Sequence, residues 1–179
     1  MTQIKAYRGV RPDSQGYTLV EVLMSVFIFS LLAAACYGIM VSGSSSWQVN
    51  RFRIQLQQEL RKSQSWMINE LRQSGASVIT GVPADGNSYT SITFRTSTGV
   101  SGGAATWSAD TIQFSLSGNQ LQRISGGTTK VLAQNISLLQ FQRQAATPNL
   151  IQVTVQAQKT ASNSPTITGN LSFKVQVRN

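Results

Sequence analysis

Gly16-Tyr17-Thr18-Leu19-Val20-Glu21-Val22-Leu23-Met24 opens a run that decides the architecture of this chain. Residues 17–41 carry one formal charge, Glu21, in 25 positions. The sixteen residues before them are polar and basic, with Lys5, Arg8 and Arg11 against Asp13. A secretory signal places its small cleavage residue after the apolar stretch. Here the small residue, Gly16, comes first, so a cut at that point would leave the apolar segment on the mature chain.

Residues 22–41 would make roughly 30 Å of helix, the thickness of a bilayer core. The next basic residue after them is Arg51. The positive-inside rule therefore predicts a single-pass protein with a cytoplasmic N-terminus and its C-terminal part outside. Glu21 needs a reason, since a carboxylate at a bilayer centre costs about 2.5–3.5 kcal/mol on insertion scales. It can reach up to the headgroups, or it can pair with a cation. Cleavage between Gly16 and Tyr17 would create such a cation, an α-amine four residues away. Within one helix the two would lie on neighbouring turns, and the pairing could equally form between subunits. In low dielectric it would set register.

These residues resemble the processing site of type IV pilins and type II secretion pseudopilins. The family pattern is a Gly before the cut, an N-methylated aromatic after it, then Thr, and Glu at the fifth mature position. The resemblance implies cleavage at Gly16–Tyr17, N-methylation of Tyr17, and filament assembly through Thr18 and Glu21. Tyr in place of the usual Phe and a long leader are departures. The partners it implies are a prepilin peptidase, other pilins or pseudopilins, and an inner-membrane assembly platform. The location it implies is the inner membrane, then a filament or periplasmic pseudopilus.

Beyond residue 42 the pattern turns amphipathic. Val49, Phe52, Leu56, Leu60, Ser63, Met67 and Leu71 fall on one helical face. No proline interrupts the chain between Tyr17 and Gly81, and Gly75 is the expected C-terminal stop. The helix so predicted starts at Tyr17 and holds about 58 residues, on the order of 87 Å. Gly38 and Gly43-Ser44-Ser45-Ser46 are its expected weak points. Trp47 reads as an interfacial anchor and Trp66 as core or stripe.

After Gly75 the period becomes two. Strands are expected at 89–95, 111–116, 120–124, 129–133, 136–143, 150–158 and 171–178. Ser117-Gly118-Asn119 reads as a hairpin turn, while 99–106 and 159–170 read as loops. The fold class is α+β: a long N-terminal helix, half transmembrane and half amphipathic, packed on an antiparallel sheet, as in the pilin fold. The expected divisions are 1–16 leader, 17–41 assembly helix, 42–75 amphipathic helix and 76–179 extracytoplasmic β-rich domain. A looser resemblance over residues 110–143 is to the larger minor pseudopilins of the J type and related minor pilins.

Composition narrows the function. The chain has no histidine, and its only cysteine, Cys36, lies in the apolar segment. That removes an intrachain disulfide and the commonest general base and zinc ligand. No nucleophile motif or carboxylate pairing stands in for them, so no catalytic, cofactor or metal residues are assigned. Asp85 and Asp110, the only carboxylates past residue 70, are too few for a calcium cluster like that of the major pseudopilin. The net charge is +9. A basic surface suits nucleic acid, which leaves a filament-tip module for DNA uptake or adhesion as the alternative function. The basic residues are scattered and not interleaved with aromatics, so a structural subunit is the leading reading.

Overall fold

The computed structural model of the chain describes residues 16–160 and 166–178. The leader expected at 1–16 lies, but for Gly16, outside the described residues. Contacts divide the chain at Ser44/Ser45 into two compact units.

One helix, α1 (Leu19–Leu71), contributes to both units and stays helical through Gly38 and the Gly43–Ser46 run. It starts two residues later than expected because Thr18 caps it. It also stops earlier. Gln73 and Ser74 bond back to Glu70 and Leu71, and the Ser74 hydroxyl donates to the Leu71 carbonyl at 2.8 Å. Gly75 is therefore not the stop. Its backbone is extended, with φ −116°, and the Trp107 ring lies over it. A Cβ there would overlap that ring, so only glycine permits the contact.

In the second unit the helix stripe closes a core. Leu56, Leu60, Met67 and Leu71 are buried with strand residues such as Ile92, Phe114, Phe141 and Val155. Ser63 on the same stripe is buried too, and its hydroxyl is satisfied by the Glu59 carbonyl at 2.7 Å. Val49 and Phe52 are only half-buried. Polar ties flank the stripe. Glu70 accepts two bonds from Arg123 Nε at 2.8 and 2.9 Å, and Glu59 accepts from the Gln134 amide at 2.8 Å. Lys159 sits 4.5 Å from the Phe52 ring and donates to Gln55, and Lys130 lies 4.4 Å from Trp66. Trp66 is thus a half-buried residue at the core margin.

Among the described residues the strands form three antiparallel sheets where one was expected. The first sheet orders β1 (Ser88–Tyr89), β8 (Ile136–Gln144), β9 (Thr147–Lys159) and β10 (Ile167–Gln176). The second orders β2 (Ser91–Phe94), β5 (Ile112–Ser117), β6 (Gln120–Ser125) and β7 (Thr128–Gln134). The third is a hairpin of β3 (Ser97–Ser101) and β4 (Ala104–Trp107). The strand expected at 89–95 breaks at Thr90, because Tyr89 pairs with Phe141 in one sheet and Ser91 with Ser115 in another. The loop expected at 99–106 is the third hairpin. Gly102 and Gly103, with φ of 60° and 80°, supply the two positive angles of a I′ turn. The expected turn at Gly118 is present, with φ 56°. β10 starts at Ile167, four residues before the strand expected at 171–178. Gly169 sits close to the helix stripe, where a Cβ would stand only 3.0 Å from Leu60 Cδ1. The architecture is α+β and pilin-like, with more sheets than the pattern implied.

Candidate functional site

The segment that carries the expected site belongs to the first unit. Gly16, Tyr17 and Thr18 precede the helix, and α1 begins at Leu19. The Thr18 hydroxyl accepts the Glu21 backbone N–H at 3.3 Å, and the Thr18 carbonyl accepts from Val22 at 3.2 Å. Thr18 is thus the N-cap, and Thr-x-x-Glu is the capping-box spacing. That spacing is a local signal present in the sequence itself, independent of any family resemblance. The cap also puts Tyr17 outside the helix, so Tyr17 and Glu21 do not lie on neighbouring turns of it. Glu21 stands in the first turn, where the positive end of the helix dipole favours a carboxylate.

Past Glu21 the helix surface is apolar on every side. Val22, Leu23, Phe27, Ile28, Phe29, Leu31, Ile39 and Met40 are all exposed. Ser25, Ser30 and Ser44 turn their hydroxyls back onto the carbonyls of Glu21, Phe27 and Val41, at 2.7–2.9 Å. Those groups are satisfied within the helix, as hydrocarbon surroundings demand. Cys36 is exposed on the same surface. Among the described residues, this is the one helix long and apolar enough to cross a membrane.

Residues 11–37 match the family model of the prokaryotic N-terminal methylation motif. The chain carries a prepilin-type N-terminus. The match spans both sides of the Gly16–Tyr17 bond and reaches into the apolar helix. The motif is that of type IV pilin- and pseudopilin-like prepilins, and it implies processing by a prepilin peptidase and assembly with other pilins. No curated protein matches the chain.

The described residues of the second unit hold no comparable constellation. Among its described residues no three His, Cys, Asp or Glu side chains come together. Its most unusual group is Arg143, which the sequence pattern does not single out. Arg143 is 6% exposed, and its guanidinium donates to the carbonyls of Pro148, Val82 and Ala76 at 2.9, 3.0 and 3.3 Å. Burial lowers its pKa from the ordinary arginine value. Donors fixed on three separate backbone segments make it a strut and not a ligand site. Asp85 accepts from the Tyr89 hydroxyl and from the Asn87 backbone and side chain. The Tyr89 bond, then the Asn87 backbone bond, hold the Asp85 carboxyl below its usual value. The same bond raises Tyr89. Both groups tie down the turn that leads into β1.

Proposed function

We propose that this chain is a structural subunit, of the minor class, of a type II secretion pseudopilus or a type IV pilus. In this reading the prepilin peptidase cuts between Gly16 and Tyr17, and the new Tyr17 amine is methylated. Residues 17–41 hold the subunit in the inner membrane in a single pass, with residues 76–179 outside the cytoplasm. Assembly then moves the apolar helix from lipid into a bundle with neighbouring subunits, where Glu21 meets an amine at a subunit N-terminus. One observation carries the reading: within the matched 11–37 segment, an all-round apolar helix bears a lone carboxylate three residues after its Thr18 cap.

Lipid tails are as apolar as these side chains, so the helix gains little hydrophobic energy on leaving the membrane. Directional attraction at Glu21 is then the term that selects a neighbour and a register. Glu21→Ala should insert and be cleaved normally yet enter filaments poorly, read by immunoblotting of sheared filaments against the membrane fraction. Incorporation at the level of the unmodified chain would sink the pairing.

A further inference from the structure

The outward face of the first sheet has no use in the processing and assembly just described. Three adjoining depressions cross it, sharing Leu150, Thr147, Lys174 and Gln176 among their linings. Arg72, Lys174 and Arg178 stand at one end, and all three are exposed. A row continues from Lys174 across the strands, since Gln152 pairs in register with Lys174 on one side and with Gln142 on the other. None of the three linings contains an Asp or a Glu.

We propose that this groove binds an extended acidic segment of a different protein. The three cations supply a local positive field, and guanidinium and ammonium groups are donors suited to carboxylates. The glutamine amides beside them both donate and accept, as a peptide backbone requires. Nucleic acid fits less well, because single strands are held by aromatic stacking as well as charge, and no aromatic side chain lines these depressions.

A second copy of the chain is also a poor occupant. Its carboxylates are few and already used. Glu70 pairs with Arg123, Glu59 accepts from Gln134, Asp85 holds Tyr89 and Asn87, and Glu21 belongs to the apolar helix. Among the described residues that leaves the Asp110 side chain, one charge against three. The partner must bring its own acidic residues. Binding in the groove involves the globular part alone and does not depend on processing at Gly16.

The test uses the full chain in detergent, with a fluorescent oligoglutamate peptide and a fluorescent oligothymidine as probes, read by anisotropy at two salt concentrations. Oligoglutamate should bind, more weakly at the higher salt. Replacing Arg72, Lys174 and Arg178 together by Gln should weaken it by roughly tenfold or more, while replacing Arg51, Arg53 and Arg95 together should change it less than about twofold. Lys174→Gln alone gives a second variant on an exposed site, and thermal unfolding checks that each variant folds. Absence of oligoglutamate binding at the lower salt would overturn the proposal. Equal losses in both triple variants would mean diffuse charge and overturn the groove. Oligothymidine binding tighter than oligoglutamate, lost with the same three cations, would overturn the acidic partner.

Discussion

The two halves of α1 share one continuous backbone and differ in what their side chains meet. In residues 45–71 an apolar stripe runs along one face and its Leu56, Leu60, Met67 and Leu71 are buried within the chain's own core, while Trp47 and Ile54 lie off it and stay exposed. In residues 19–44 apolar residues cover every face, and none is buried. A one-sided stripe needs one partner, and here the sheets provide it. An all-round apolar surface needs surroundings that are apolar on all sides, which means lipid or a bundle of other helices. The chain completes itself in the first case and depends on others in the second.

A matched pair of truncations puts the greatest strain on that contrast. Leu60→Ala should lower the stability of the globular part by about 2–5 kcal/mol, because it opens a cavity in a packed core. Leu32→Ala, in the other half, should change it by less than about 0.5 kcal/mol. Urea unfolding of the full chain in detergent, followed by tryptophan fluorescence, measures both. Similar losses in the two variants would erase the distinction.

The end of the second half is open to the same assay. Gly75→Ala should cost about 1–3 kcal/mol, since its Cβ would meet the Trp107 ring. Adding Trp107→Ala should make the glycine change nearly neutral, a coupling that a simple helix-stop role for Gly75 would not produce.

A still smaller effect depends on pH. The Asp85 carboxyl is held below its usual value of 3.8, so its contribution is whole above that value and is lost as pH falls through the lowered folded pKa. Asp85→Asn should therefore lower stability slightly near neutrality and flatten the loss on acidification below about pH 4, so that the two chains converge at low pH. An unchanged acid limb would show that the Asp85–Tyr89 bond carries no stability. Neither half of α1 should respond to this change, because Asp85 makes its bonds within its own turn.

Much of the contrast between the halves is legible from pattern alone. The stripe from Leu56 to Leu71 repeats at helical spacing, and the apolar run before it is unbroken, so period and composition suffice. The strand alternation also reads well wherever a strand stays in one sheet. Most of what escapes depends on contacts between distant residues. The break at Thr90 follows from a change of sheet, which alternation does not encode. Residues 99–106, rich in Gly and Ala, lack the alternation that marks a strand, and only the paired glycines hint at a turn. Arg143 looks like any other arginine until Pro148, Val82 and Ala76 converge on it. Gly75 suggests a helix stop by its conformational freedom, whereas its lack of a side chain is what matters. At the candidate site the residues are legible through their resemblance to a processing motif, and the capping role of Thr18 is legible from its spacing to Glu21.

The apolar half of α1 can serve assembly as proposed only as the N-terminus of a mature, methylated subunit. Intact-mass and N-terminal peptide analysis of the chain expressed with a prepilin peptidase probes this without intermediaries. The expected product begins at Tyr17 and carries one added methyl group on its amine. A chain that keeps residues 1–16, or is cut elsewhere than after Gly16, would contradict it.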